Sequence, residues 1–251
     1  MIFKPCIVIP IYNHGYAIAA TIDSLKIYGL PIIVIDDGSE ETTKRSIAKV
    51  ATTHPDLQVL VHKQNKGKGA ALKTGFRKAL NDGFTHALQV DADGQHNLND
   101  IPSFLVKGKE SPNCLICGEP VYDESIPKSR LYGRRITNFW IVVETLSHKI
   151  PDAMCGYRLY PLQQTVSLLD RYFVGDRMES DIDLLVRFAW LPMPIYWIKT
   201  KVQYPKGGWS NFRLFQDNAR ISWAHTRLVA GMITHLPSLL SNKMNMGRTS
   251  G

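Results

Sequence analysis

The sequence predicts an α/β fold: a central, mostly parallel sheet flanked by helices, built as a single domain with a C-terminal helical extension. Three observations predict it. Short, branched-rich apolar runs alternate with helical patterns over the first half of the chain, and each run is bounded by Pro, Gly, Asn or Asp. No linker, internal repeat or low-complexity block interrupts the 251 residues, which at 44% hydrophobic can bury a sizeable core.

Taken in order, the apolar runs at 6–10, 32–35, 59–61, 87–90 and 115–117 have the length and composition of buried strands. Helical patterns at 17–27, 40–53, 68–81 and 100–107 fall between them, so the first 118 residues read as repeated β-α units. Beyond residue 126 the order changes. A helix is expected at 130–148, then a turn with a short strand at 152–160. Helices follow at 162–169 and 179–190, a strand at 194–204, and an amphipathic stretch at 211–240. The last residues, 244–251, read as disordered.

Several classes are excluded or made unattractive. No run approaches 18 uninterrupted apolar residues, so no transmembrane helix is expected. The N-terminus lacks the long apolar region and small-residue cleavage site of a signal peptide, and four cysteines suit a reducing compartment. Cys114 and Cys117 have no second Cys or His pair at zinc spacing and read as buried thiols. A cytoplasmic address follows as the expectation. The charge is divided unevenly. Residues 1–125 hold 13 Lys and Arg against 14 Asp and Glu; residues 126–251 hold 17 against 8 and carry the whole net +8. The second half should therefore face something anionic: nucleic acid, anionic lipid or a phosphorylated substrate.

In open α/β sheets, ligands bind beyond the carboxyl ends of the strands. Four consecutive strand ends here carry chemistry: Pro10, Tyr12 and Asn13 after the first; Asp36 and Asp37 after the second; Asn65 to Gly69, with Lys66 and Lys68, after the third; and Asp91, Asp93, Gln95 and His96 after the fourth. Asp91 and Asp93 stand at i and i+2, on one side of an extended chain, and Gln95 follows at the same step. Such hard oxygen donors suit Mg²⁺ or Mn²⁺ with substrate phosphates completing the octahedron. The competing reading is a solvated surface turn. Asp36 and Asp37 suit a nucleobase or ribose hydroxyl, or a cap for the helix opening at 40. The Lys66-to-Gly69 loop precedes a helix and is placed to meet a diphosphate, but it lacks P-loop spacing, and packing glycines are an equal reading.

These motifs together resemble the signature series of inverting family-2 glycosyltransferases, especially those that act on dolichol or polyprenyl phosphate. The resemblance covers about residues 4–210. It implies the GT-A fold, with a nucleotide-sugar half at 1–125 and an acceptor half at 126–210; the basic amphipathic pattern beyond it reads as a helical extension at 211–243. It implies base and ribose contacts near Pro10, Tyr12, Asp36 and Asp37, and makes Asp91, Asp93 and Gln95 the metal and diphosphate cluster.

In the second half, Asp152 to Arg158 is similar to a family segment whose arginine faces a diphosphate or an acceptor phosphate, a role that suits guanidinium. Asn138, with Arg134 or Arg135, resembles a further basic acceptor-side element. Glu179 to Arg187 resembles the stretch where hydroxyl-glycosylating relatives keep a catalytic base, and Asp181 matches that position best, although Ser180 separates acids that are usually adjacent. A helix N-terminal acid cluster is the other reading. Lys206 sits where lipid-phosphate relatives carry an arginine in a phosphate-gripping loop, here one residue shorter. Arg213, Arg220 and Arg227 recur every seventh residue beside Phe212, Phe215, Ala219 and Trp223, a pattern that suits an anionic membrane face or a tail helix docked on the core.

The expectation is thus a metal-dependent inverting glycosyltransferase that moves a sugar from a nucleotide-sugar to a lipid-linked or glycan acceptor, at the inner face of the cell membrane. A hydroxyl acceptor with Asp181 as base is the alternative. A basic nucleic-acid-binding domain is the non-catalytic rival, disfavoured because no helix-turn-helix or ribonucleoprotein signature is present.

Overall fold

The structure, a computed structural model, describes residues 2–122, 126, 128–202 and 214–248. The expected apolar runs are strands: β1 (Pro5–Ile11), β2 (Ile32–Asp36), β3 (Gln58–Val61), β4 (His86–Gln89) and β5 (Leu115–Tyr122), joined in the second half by β6 (Arg158–Pro161) and β7 (Ile195–Val202). They form one sheet in the order β3-β2-β1-β4-β6-β5-β7. Every pairing is parallel except those of β6, which runs antiparallel between β4 and β5. The chain leaves β1 toward β2 and β3 and then returns to β4 on β1's other side. The crevice beyond β1 and β4 is therefore where the strand order reverses and a ligand fits best.

Helices cover both faces. Alternate residues of β1 supply the two cores: Cys6 and Val8 pack with the side of α3 (Lys68–Asn81), α6 (Leu162–Arg171) and α7 (Ser180–Trp190), while Ile7, Ile9 and Ile11 pack with α1 (Gly15–Lys26), α2 (Glu41–Thr53) and α4 (Ile101–Glu110). This is the period-2 alternation of a strand buried on both faces. All four cysteines are buried and free; burial pushes the Cys6 and Cys117 thiols up to about 12.

The C-terminal part departs from expectation. Helix α8 (Leu214–Arg248) continues through Pro237 into the stretch expected to be disordered. Of the two readings of this stretch, the structure shows the docked helix: α8 packs on α7 and on α5 (Lys128–Thr145), with Ala224 and Leu228 buried. At Gly231 a Cβ would lie 2.7 Å from the Trp190 ring, so the absence of a side chain is what lets α8 approach. The basic stripe is partly consumed by this docking: Arg227 bonds Asp183 at 3.0 Å and Arg220 bonds Asp217 at 3.1 Å. Lys206, Phe212 and Arg213 lie outside the described residues.

Candidate active site

The carboxyl ends of β1, β2 and β4, the start of α3, and helices α5, α7 and α8 enclose one cavity of about 1160 Å³. Pro10 and Tyr12 line it from the end of β1. Asn13 does not. In left-handed conformation (φ +56°), it donates its backbone amide to the Ser39 hydroxyl at 3.0 Å and its side-chain carbonyl accepts from the Glu40 amide at 2.8 Å, which ties the β1 end to the β2 end.

The two aspartates after β2 divide their work. Asp36 is buried and accepts from the Ser39 amide at 2.9 Å, which closes the turn at Gly38. Asp37 lines the cavity, but its carboxylate accepts from the amides of Lys66 (3.0 Å) and Gly67 (2.6 Å) and bonds His62 at 2.7 Å. It therefore holds the loop after β3 in place. That loop is a packing seam: Gly67 has φ +112°, and a Cβ there would lie 2.3 Å from the Asp176 carbonyl oxygen, while one at Gly69 would lie 2.6 Å from that of Gly175. The glycines serve close approach, and the loop brings Asn65, Gly67 and, at the start of α3, Lys68 to the cavity.

Lys68 sits between two carboxylates from opposite halves of the chain. Its ammonium lies 2.9 Å from Asp91 and 3.0 Å from Asp181, with all three side chains mostly shielded from solvent. Burial alone opposes the charge on Lys68, but Asp181 and Asp91 outweigh it and hold the ammonium above the ordinary lysine value. Burial likewise opposes ionisation of Asp91, and the Lys68 charge with His96 overcomes it, holding that carboxyl well below the carboxylate range. Gly156 makes room for the cluster, since a Cβ there would lie 2.7 Å from the Lys68 nitrogen and 3.1 Å from an Asp91 oxygen.

Beyond β4, Asp93 lines the cavity and accepts from the Gln95 amide at 3.1 Å around Gly94 (φ +72°). Gln95 and His96 also line it, with the His96 ring stacked on Tyr157 at 4.7 Å. The sequence treats Asp91, Asp93 and Gln95 as one ligand cluster. In the folded chain Asp91 is bound to Lys68, and Asp93 is the carboxylate facing the cavity with no ion pair among the described residues. No group of three or more His, Cys, Asp or Glu among those residues is assembled to hold a metal by itself. One open carboxylate of hard oxygens fits a divalent ion held largely by substrate phosphates.

Arg158 corrects an expectation. It is fully buried and outside the cavity lining, and its guanidinium donates to the carbonyls of Asp181 (2.6 Å) and Ala153 (2.7 Å). These bonds brace the backbone that presents Asp181. Arg134 lines the cavity but bonds Asp152, whose other oxygen caps the amides of Met154 and Cys155. Asn138 donates to the Pro151 carbonyl, so this α5 face secures the 151–156 turn.

Two contributions lay beyond sequence reasoning. Arg177 lines the cavity and donates to Asn65 at 2.8 Å, which joins the loop before α7 to the loop after β3. Helix α8 supplies a wall, including Asp217, Ile221, His225 and Val229, opposite Tyr132, Ile136 and Trp140 of α5. A lone arginine before Glu179 was a faint signal for the first. Nothing local marked the second, because the partners are about eighty residues apart.

The sequence pattern described as Glycosyl transferase family 2 matches residues 6–173. Among curated relatives, the dolichyl-phosphate beta-glucosyltransferase of Dictyostelium discoideum is 27% identical over 211 residues, which is 75% of this chain and 63% of the relative. The chain thus spans less than two thirds of that relative's length. Among solved structures, a mannosyltransferase from Pyrobaculum calidifontis, in complex with GDP-Man and Mn²⁺, superposes with TM-score 0.57 at 19% identity, covering 99% of this chain and 76% of that one. The glucosyl-3-phosphoglycerate synthase of Mycobacterium tuberculosis, in complex with Mn²⁺, UDP-Glc and phosphoglyceric acid, gives 0.63 at 15% identity, covering 93% and 79%. At such identities the likeness is one of fold, and the fold is GT-A. With the match extending over more than half of its residues, from β1 through α6, this chain belongs to glycosyl transferase family 2.

Proposed function

We propose that the chain transfers a sugar, with inversion, from a nucleotide-sugar bound across the ends of β1, β2 and β4 to a polyprenyl phosphate presented between α5 and α8. The observation that carries this reading is the single cavity in which the donor-side Asp91 and the acceptor-side Asp181 share Lys68. The acceptor phosphate attacks the anomeric carbon as the bond to the nucleotide diphosphate breaks on the opposite face. A phosphate is already anionic and needs no strong base, which suits an Asp181 held against an ammonium rather than free to take a proton. A bound Mg²⁺ or Mn²⁺ would be held by Asp93 and supplies Lewis-acid neutralisation of the departing diphosphate. On this reading Lys68 and Arg177, which both line the cavity, contact the same phosphates.

The acceptor class is supported by the Dictyostelium relative, named for a dolichyl-phosphate substrate, and by the apolar wall that Ile136, Trp140, Ile221 and Val229 give the cavity. No helix among the described residues is long and apolar enough to cross a membrane. Tyr132 and Phe139 on α5, and Phe215 and Trp223 on α8, are each more than 60% exposed, and such aromatics favour the headgroup region of a bilayer. With Arg220 and Arg227 bonded internally, we assign peripheral membrane contact chiefly to these rings.

The test is transfer from a panel of nucleotide-sugars to a short polyprenyl phosphate, with Mn²⁺ and with EDTA. Metal-dependent transfer from at least one donor is expected. No transfer from any donor would overturn the reading, and transfer to hydroxyl acceptors alone would favour Asp181 as a base.

A further inference from the structure

On the acceptor side of the cavity a carboxylate and an imidazole are paired, and the reaction as described gives them no role. Glu144 of α5 is fully buried, and His225 of α8 is 5% exposed. Glu144 Oε1 and His225 Nδ1 lie 2.7 Å apart, 81 positions apart in sequence. The imidazole lines the cavity next to the exposed edge of Trp140, with ring centroids 6.1 Å apart and nearly parallel. Its other nitrogen, Nε2, is buried with no hydrogen-bond partner among the described residues. A buried polar atom without a partner carries a desolvation penalty unless a ligand or water relieves it.

The proton arrangement of the pair decides what Nε2 offers. If the pair keeps two protons, one sits between Glu144 and Nδ1 and the other is on Nε2. This holds whether the shared proton rests on oxygen or on nitrogen, so Nε2–H is a donor in both arrangements. Burial raises the Glu144 carboxyl above the ordinary value, against the lowering pull of His225, and nearby Asp183 raises it further. A carboxyl that holds its own proton against Nδ1 leaves the proton of the neutral imidazole on Nε2. A donor in an apolar recess, opposite the diphosphate end of the cavity, has an anionic oxygen as its natural partner.

We propose that His225, oriented by Glu144, donates a hydrogen bond through Nε2 to the phosphate of the acceptor. Glu144 is then a positioning residue, and α8 takes part in acceptor recognition as well as closing the cavity. The inference rests on the acceptor assignment made above, and its test separates the two.

In the full chain labelled with ¹⁵N-histidine, the His225 Nε2 resonance is identified by its loss in H225Q and followed on addition of farnesyl phosphate, inorganic phosphate or farnesol. A shift with farnesyl phosphate that farnesol does not produce supports the proposal, and a further shift with inorganic phosphate locates recognition in the phosphate itself. No shift with either phosphate, or an equal shift with farnesol, overturns it. This readout needs no turnover, so it stands even if the wild-type chain transfers no sugar to a lipid phosphate. If transfer is observed, H225F should raise the acceptor KM about tenfold with the donor KM unchanged, the loss of one charge-assisted hydrogen bond. H225Q, which keeps a donor, should recover most of that loss. E144Q should raise the acceptor KM and leave its thermal unfolding transition cooperative. Equal changes in donor and acceptor KM, or no change in H225F, would overturn the assignment.

Discussion

Lys68 Nζ and Asp181 Oδ2 lie 3.0 Å apart although 113 residues separate them, and the same nitrogen lies 2.9 Å from Asp91. One ammonium thus joins the loop after β3, the end of β4 and the start of α7. Removing it leaves two shielded carboxylates facing each other. K68M should lose about 3 kcal/mol of stability, as expected when one partner of a buried ion pair is removed. Urea unfolding at pH 7 measures it, and a midpoint equal to wild type would show that the cluster is solvated.

The same cluster sets a pH window. The Asp91 carboxyl is held below its unfolded value, so its contribution is present above about pH 4 and is lost as pH falls toward the folded value. Lys68 is held above its unfolded value, so its contribution is present below about pH 10 and fades as pH rises through the folded value. The stability advantage of wild type over D91N should therefore be level near neutrality and shrink in acid. Denaturation series at several pH values check the sign.

Gly156 is a spacing residue for this cluster. A Cβ there would lie 2.5 Å from Gln89 Nε2 and 2.7 Å from Lys68 Nζ, closer than unbonded atoms tolerate. G156A should cost about 1–3 kcal/mol, the range for overpacking, and lower turnover by more than the folded fraction accounts for. Activity per folded molecule is the comparison to make.

Asp93 and Arg177 should separate metal binding from nucleotide-sugar binding. D93N should lower metal-dependent turnover about a hundredfold or more with little change in melting temperature, as loss of a Lewis-acid anchor requires. On the proposed donor site, R177A should raise the nucleotide-sugar KM, because it removes a cavity-lining cation that is held by Asn65. Mn²⁺ titration of each variant, with and without nucleotide, separates the two effects.

Arg158 is expected to behave as a structural residue. R158M removes donors from the Asp181 and Ala153 carbonyls in a fully buried setting and should destabilise the chain by about 2–4 kcal/mol. Calorimetry measures the loss. A variant that melts like wild type but has lost phosphate affinity would restore the role the sequence suggested.

Sequence alone determined the α/β plan because buried parallel strands must be short, branched and bounded by turn residues. Those features are local, and α3 was legible to its ends for that reason. It also placed Pro10, Tyr12, Asp37, Lys68, Asp91 and Asp93 on one edge, since the rule that ligands bind beyond the carboxyl strand ends needs only the strand positions. It could not say what each carboxylate faces. Asp37 turned inward to hold a loop, Asp91 to Lys68, and Arg158 to backbone carbonyls, because hydrogen-bond partners are fixed by contacts far apart in sequence. The reversal at β6, the docking of α8 and the Glu144–His225 pair were decided only in three dimensions. An antiparallel insertion and a helix packed across the cavity leave the same local periodicity as their alternatives, and burial of one face against another element distinguishes them.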